Sequence, residues 1–203
     1  MERGLISLAA LGAARRFDEI SRVVRQAGLA GATTAAIRET LIFLVPYCGW
    51  PTALNALMAA AGEAPELLST TATDANPLDT TDRSHRRTLG LETARTVNRQ
   101  FDRVADKIAA IDPALVDHLL ESAYGYLYHR PGLNLREREL LAVAMLAMQR
   151  QERQLRYHLL GAQNAGATHE DIESVMSALD DIDPNVSAWA RDVWNMMTAR
   201  IDS

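Results

Sequence analysis

The feature that most constrains this fold is an internal repeat whose two copies lie 135 residues apart. Shifting the chain against itself by that distance, without gaps, aligns Arg3–Ile37 with Arg138–Ile172 and gives eleven identical pairs in thirty-five positions. Both copies contain the tripeptide Gly-Ala-Thr, at Gly31–Thr33 and at Gly166–Thr168. Each copy reads as helix, tight turn, helix, Gly-Ala-Thr turn, helix. The repeat predicts pseudo-symmetric packing of two three-helix units, and chance similarity between Ala- and Leu-rich hairpins is the alternative.

Apolar residues recur at helical spacing outside the repeat as well, so the predicted fold class is all-α, a tandem pseudo-repeat of a helical core. Helical patterns cover Leu91–Ile111 and about Asn185 to Ile201, and no long stretch alternates with the period of a strand. We divide the chain into a first, degenerate repeat at 1–62 and a linker or loop at 63–90. A second repeat with its preceding helices follows at 91–203 and carries the candidate site.

Composition and charge exclude several classes of protein. The net charge of -5 argues against a nucleic-acid-binding protein, which usually carries a basic stripe. The longest apolar stretch, Leu41–Trp50, is interrupted by Pro46 and too short to span a bilayer. Cys48 is the single cysteine, so no internal disulfide can form, and no signal peptide is visible. We therefore expect a cytoplasmic protein with no nucleic-acid or membrane partner.

Two polar residues interrupt the apolar helix faces of the second copy but not of the first. We call residues 135 positions apart twins. Glu139 has Gly4 as its twin and His158 has Val23, so packing alone does not demand the polar groups. With a turn near Arg150 the two helices run antiparallel, which places Glu139 and His158 within about one helical turn of each other. A carboxylate that orients an imidazole predicts a general acid/base pair.

Two interpretations of this pair stay open, because a buried Glu–His contact can also be purely structural. Gln151 and Gln154 share one helix face with His158, at spacings i, i+3 and i+7, so we expect their amides to line the same region. The histidines and the cysteine form no HExxH, HxxxH or Cys/His spacing, and we predict no metal site.

Longer stretches around these residues resemble a known family. The segments AYGYLYHRPGLNLRERELLAVAMLA and RQLRYHLLGAQNAGATHEDIESV of the second copy are similar to the carboxymuconolactone decarboxylase-like family, whose superfamily also contains the alkyl hydroperoxidase D type enzymes. In the first copy, LIFLVPYCGWPTALNAL resembles the Tyr-x-Gly-x-Pro-x-Ala segment of the family. The resemblance implies an alkyl hydroperoxidase D-like helical fold.

The peroxidase branch carries a Glu, eleven residues, Cys-x-x-Cys, three residues and a His. In this chain the pattern falls on Glu139, Gln151, Gln154 and His158, so the acid and the imidazole are kept and both cysteines are glutamines. Peroxide reduction through a disulfide needs a thiolate and a resolving thiol, and neither is present in the motif. Cys48 lies outside it and is expected to be a small core residue.

The decarboxylase branch lacks these cysteines. Resemblance to it implies a reaction without cofactor or metal on a small lactone or carboxylate, with Arg130 and Arg138 as candidates to hold the carboxylate and Tyr124 for hydrogen bonding. Alternatively, Arg130 braces the Pro-Gly-Leu turn and Arg138 is structural, since its twin is Arg3. After Leu179 the second copy reads DDIDPNVSAWA instead of Tyr-x-Gly-x-Pro, so we expect one wall of the usual pocket to be altered.

The leading hypothesis is therefore an acid/base lyase without cofactor, acting on a small carboxylated or lactone metabolite through Glu139 and His158. A ligand-binding or structural family member without catalysis is the alternative, and a degenerate peroxidase without redox cysteines is third. The resemblance also implies a homo-oligomer, with a trimer of tandem copies favoured.

Overall fold

The computed structural model describes residues 2–68 and 81–199, and these residues contain helices and no strand. The first half of the fold has five α-helices followed by a 3-10 turn at Pro65–Leu68. They are α1 (Glu2–Ala13), α2 (Phe17–Leu29), α3 (Thr34–Ile42), α4 (Val45–Cys48) and α5 (Trp50–Glu63). The all-α prediction is confirmed.

Seven further helices follow along the described part of the chain. They are α6 (Arg83–Val97), α7 (Phe101–Ala109), α8 (Pro113–His118), α9 (Leu135–Met148), α10 (Glu152–Asn164), α11 (His169–Asp180) and α12 (Pro184–Thr198). A π-helix at Leu119–Tyr124 continues α8, and a 3-10 turn at Leu127–His129 leads towards α9. Within these residues no helix combines the length and apolar content needed to cross a bilayer.

The segments α1–α3 and α9–α11 share their local structure at twin positions. Arg15 and Arg150, in the tight turns after α1 and α9, both adopt the left-handed region, with φ of 59° and 56°. Thr33 and Thr168 both cap the next helix, each accepting a hydrogen bond from the third backbone amide of that helix. The same turn and cap therefore recur in both segments at the spacing of the sequence repeat.

Helices α1 and α9 pack against each other at the centre of the molecule. Every residue of α9 from Arg138 to Ala147 is buried, which suits a helix that is apolar on nearly all sides. Each central helix also sends a twin arginine to the third helix of the opposite segment. Arg3 donates to Ser177 Oγ of α11 at 2.9 Å, and Arg138 lies 3.8 Å from Glu39 of α3. The two segments thus hold each other through equivalent contacts.

The middle segment, α6 to the π-helix, forms a small second core beside the main one. Helix α6 approaches the π-helix so closely that a Cβ at Gly90 would collide with the carbonyl oxygen of Leu120. A Cβ at Gly125 would likewise collide with the carbonyl oxygen of Arg86. Two glycines therefore allow backbone-to-backbone packing, which fixes this segment next to the cavity described below.

Helix α6 begins at Arg83, within the stretch 63–90 that the sequence predicts as a linker or loop. The most Thr-, Asp- and Pro-rich part of that stretch, 69–80, lies outside the described residues. The division into 1–62, 63–90 and 91–203 stays a prediction.

The close approach at Gly90 can be tested with a matched pair of glycine variants. Gly90→Ala should destabilise the protein by about 2 kcal/mol or more, because the new methyl group meets rigid backbone rather than a flexible side chain. Gly28→Ala in α2, where nothing lies within 4 Å, should stabilise by about 0.5–1 kcal/mol through helix propensity. Urea denaturation gives both free energies of unfolding. Equal effects of the two substitutions would contradict the packing described.

Candidate active site

Four side chains form a chain of hydrogen bonds that links the first half of the protein to the second. Tyr128 donates to Glu139 Oε1 at 2.6 Å, and His158 Nδ1 lies 2.9 Å from Glu139 Oε2. The hydroxyl groups of Tyr47 and Tyr128 are 2.6 Å apart. Tyr47 lies in α4 and Tyr128 in the 3-10 turn, whereas Glu139 lies in α9 and His158 in α10. The predicted proximity of Glu139 and His158 is therefore present in the structure, extended by two tyrosines.

The donors in this chain follow from the chemistry of each group. A carboxylate only accepts hydrogen bonds, so His158 Nδ1 carries the hydrogen that bonds Glu139 Oε2. Tyr128 uses its hydroxyl hydrogen on Oε1, so Tyr47 donates to Tyr128. Both carboxylate oxygens are satisfied, as full burial of Glu139 requires. The arrangement leaves Nε2 of His158 available on the opposite edge of the ring.

Gly161 provides the room for the Glu139 side chain. One turn after His158 on α10, it lies so close that a Cβ there would collide with Glu139 Oε2. The twin of Gly161 is Gln26, and the twin of Glu139 is Gly4. The glycine and the larger side chain thus exchange places between the first two helices of the two segments, and in the second segment this leaves room for the buried carboxylate of Glu139.

His158 lines a cavity of about 470 Å³ that Glu139 does not reach. Five of the residues predicted for the site meet here: Glu139 lies behind the imidazole, while Tyr124, Gln151, Gln154 and His158 line the cavity. Gln151 and Gln154 are exposed and His158 is buried, so the amides lie towards solvent. Glu139 therefore holds the Nδ1 edge of the imidazole, and His158 also lines the space where a small molecule fits.

The tyrosines of the cavity act as hydrogen-bond donors rather than bases. Burial raises the pKa of Tyr47 and Tyr128 well above the ordinary value, and the nearby charge of Glu139 raises the pKa of each further. Burial and Glu139 raise the pKa of Tyr124 in the same way. All three phenols stay protonated at neutral pH. Tyr124 packs against Phe101 and Tyr128 at ring-centroid distances of 5.9 Å and 5.0 Å.

A second cavity, of about 410 Å³, lies at the twin position in the first segment. Its lining includes Gly4, Val23 and Ile182, the twins of Glu139, His158 and Tyr47 respectively. All three polar groups are thus replaced by glycine or apolar side chains. The pseudo-symmetry of the structure therefore gives two comparable cavities. Only the cavity of His158 has an imidazole bonded to a buried carboxylate, whereas Glu19 and Asp181 line the twin cavity without a histidine.

The expected alteration of the pocket wall was wrong for the cavity of His158. The YCGWP segment of the first half supplies Tyr47 to this cavity, so that wall keeps its tyrosine. The divergent DDIDPNV stretch supplies Asp181 and Ile182 to the twin cavity instead. In each half, residues that follow the third helix line the cavity of the other half. The order of the segments along the sequence does not show this exchange.

Arg130 and Arg138, predicted to hold a substrate carboxylate, lie outside both cavity linings and surround Glu39 instead. Arg130 bonds Glu39 through Nε at 2.9 Å and Nη2 at 2.8 Å, a bidentate pair. Fully buried Arg138 donates to the carbonyl oxygen of Arg130 at 2.6 Å, and its guanidinium lies over the Phe43 ring. The geometry thus favours the structural alternative for both arginines.

Cys48 lies beside the site but in a position unsuited to thiol chemistry. Burial raises its pKa to about 11, so the group is a neutral thiol at pH 7. Gln149 Nε2 contacts its sulfur at 3.0 Å. In the described part of the chain, no three His, Cys, Asp or Glu side chains are arranged to hold a metal ion.

Sequence reasoning missed four residues of this site. They are Tyr47, Tyr128, Gly161 and Arg153, the last of which also lines the cavity. Gly161 could have been found from its mismatch with Gln26, by the same comparison that identified Glu139. Tyr47 lies in the segment that resembles the Tyr-x-Gly-x-Pro pattern, but the resemblance does not show that it serves the other half. No spacing signal marks Tyr128 or Arg153.

The fold and the site together define a class of helical proteins. Its members are built on two similar segments and have a buried Glu–His pair behind a small cavity. The sequence profile of the carboxymuconolactone decarboxylase family matches residues 1–62 and 113–191, and the chain belongs to this family. It is also 28% identical over 173 residues to Peroxisomal protein 2 of Schizosaccharomyces pombe, covering 84% of this chain and 80% of that protein.

The arginine cluster generates a stability prediction with an internal control. Glu39→Gln should cost about 3–5 kcal/mol of unfolding free energy, because Arg138 remains buried without its counter-charge. Asp181→Asn removes the partner of the twin arginine, Arg3, in a pair whose side chains are 53% and 67% exposed, and should cost under about 1 kcal/mol. Urea denaturation of both variants measures the difference. A Glu39→Gln loss as small as that of the control would contradict a structural role for the cluster.

Proposed function

We propose that this protein is an acid/base lyase that decarboxylates a small carboxylated or lactone metabolite at the cavity of His158. The observation that carries the proposal is the orientation of the imidazole. Its Nδ1 edge is bonded to a buried carboxylate, and the residue lines a cavity of about 470 Å³. Membership of a family named for a decarboxylase supports the same reaction class.

In the proposed reaction, Nε2 of the neutral ring first takes up a proton from solvent, so that His158 acts as an acid in its imidazolium form. The bond between the carboxylate and its carbon breaks, carbon dioxide leaves, and the electron pair moves into the adjacent conjugated carbonyl system. Protonated His158 then delivers its proton to the carbon that lost the carboxylate, and solvent returns a proton to the ring. Glu139 stabilises the protonated imidazole and holds its orientation, a contribution of the kind typically worth about 10²–10⁴ in rate.

We propose that Tyr124 stabilises the negative charge that develops on the substrate oxygen. Its phenol lines the cavity and stays protonated at neutral pH because burial raises its pKa. A protonated donor placed where charge develops stabilises the transition state more than the ground state. Gln151 and Gln154 are proposed to contact the substrate at the solvent side of the cavity.

Two other functions remain as outcomes of the test. A ligand-binding member without catalysis would use the same cavity and is favoured by the full burial of Glu139 in satisfied hydrogen bonds. A degenerate peroxidase is the third hypothesis. Against it stand the glutamines at 151 and 154 and the neutral, half-buried thiol of Cys48.

The homo-oligomer, with a trimer favoured, also stays a proposal. Trp50, Leu54 and Met58 are exposed at successive turns of α5, and contact with another subunit would remove them from water. The cytoplasmic location stays a prediction, and the name of the Schizosaccharomyces pombe relative places that protein in the peroxisome.

The reaction class can be tested in deuterated water. The protein is incubated with a panel of small lactones and lactone or keto acids, while nuclear magnetic resonance follows deuterium incorporation and loss of the carboxylate. For a substrate found in this way, His158→Gln should lower kcat about 10²–10⁴-fold, and Glu139→Gln should lower it less, because the imidazole remains.

The twin cavity supplies the control, because Glu19→Gln changes a lining carboxyl there without touching the site. It should leave kcat unchanged, and circular dichroism checks that each variant is folded. Wild-type kcat in the His158→Gln variant would sink the acid/base proposal. Binding of panel compounds with no turnover of any of them would instead establish the ligand-binding alternative.

A further inference from the structure

The cavity of His158 has one strongly apolar wall. Val97, Phe101, Val104 and Ile108 form it, and all four belong to a stretch that the family profile does not match. The lining of the twin cavity includes no residue of the middle segment. A part of the chain specific to this protein therefore shapes the space in front of the imidazole.

Helix α7 turns a single apolar face to the cavity. Phe101, Val104 and Ile108 lie at i, i+3 and i+7, whereas Asp102 and Lys107 lie on other sides of the helix. Val104 and Ile108 are only half-buried, so a bound molecule can cover more of their surface. Each square ångström of apolar surface removed from water contributes about 25 cal/mol. This wall favours a ring or a branched hydrocarbon over a polar group.

The charged group that lines the cavity is a cation. Arg153 is the single arginine or lysine among the described residues that line it, and none of those residues is an aspartate or glutamate. Its guanidinium lies 6.0 Å from the centre of the Tyr157 ring, and no carboxylate of residues 2–68 or 81–199 forms an ion pair with it. An exposed cation at the mouth therefore has the capacity to bind one anionic group.

We propose that the substrate is a small monocarboxylate with an apolar ring or branched chain. Its carboxylate binds Arg153, and its apolar body packs on Phe101, Val104 and Ile108. This assignment rests on the proposed function, because a bound compound is a substrate only if the protein turns it over. A dicarboxylate of the same size fits poorly, because its second charge would lose water against the apolar wall without gaining a partner.

Three matched probes test this selectivity by equilibrium binding, without reference to turnover. They are cyclohexanecarboxylate, cyclohexane-1,4-dicarboxylate and cyclohexanecarboxamide, which share one ring and carry one, two and no charges. Saturation-transfer nuclear magnetic resonance titrations should give the tightest binding for the monocarboxylate. We expect the dicarboxylate to bind at least roughly tenfold more weakly, because its second charge is unpaired.

Variants then assign the contacts. Arg153→Gln should weaken monocarboxylate binding about tenfold and leave the amide unchanged, because only the charged probe uses the guanidinium. Ile108→Arg should raise dicarboxylate affinity by placing a second cation on the wall. Arg22→Gln is the matched control, since Arg22 lines the twin cavity and should have no effect on any probe.

Three results would overturn the inference. They are equal binding of the monocarboxylate and the dicarboxylate, an unchanged monocarboxylate affinity in Arg153→Gln, and no measurable binding of the monocarboxylate. The two proposals fail separately. Selective binding without turnover of any monocarboxylate removes the lyase but keeps the binding mode, whereas turnover confined to dicarboxylates keeps the lyase and removes the selectivity.

Discussion

The burial of Glu139 is the constraint on which the site depends. A carboxylate removed from water costs several kcal/mol unless both oxygens are paired. Tyr128 and His158 supply the two hydrogen bonds, and Gly161 supplies the space. These partners come from α10 and from the 3-10 turn before α9, so the carboxylate of Glu139 holds α9, α10 and that turn in one arrangement. The imidazole is held in one orientation as a consequence, and His158 lines the cavity.

The two similar halves differ in their cavities, and among the described residues one cavity alone has the Glu–His–Tyr set. Both segments have the same turns and caps, and both have a cavity between their first two helices. The first segment has Gly4, Val23 and Ile182 where the second cavity has Glu139, His158 and Tyr47. The buried carboxylate, the imidazole and the tyrosine are thus present on one side and absent on the other, where the carboxyl groups of Glu19 and Asp181 line the cavity without an imidazole.

Much of the fold and half of the site could be predicted from the sequence, because those features follow from local pattern. Apolar periodicity predicts the helices, and Thr33 and Thr168 mark two helix starts through their side-chain caps. Glu139 and His158 stand out because their twins are not polar. Comparison of twins works for them because both residues lie on helix faces whose packing the two segments share.

The rest depends on contacts between distant parts of the chain. Tyr47 reaches His158 because the end of the first half crosses to the second, and local spacing does not encode that path. Arg130 and Arg138 have the charge that a substrate carboxylate needs, but the buried carboxylate of Glu39 satisfies it within the protein. The apolar wall of α7 depends on where the middle segment packs, which Gly90 and Gly125 determine through close backbone contact.

The central claim is that Glu139 holds the imidazole of His158 with Nδ1 as the donor and Nε2 free. Nitrogen-15 nuclear magnetic resonance of the labelled histidine side chains measures this directly, because it distinguishes the protonated from the unprotonated ring nitrogen. We predict that the neutral ring of His158 carries its hydrogen on Nδ1, and that this preference is lost in Glu139→Leu. A wild-type ring with its hydrogen on Nε2 would contradict the account.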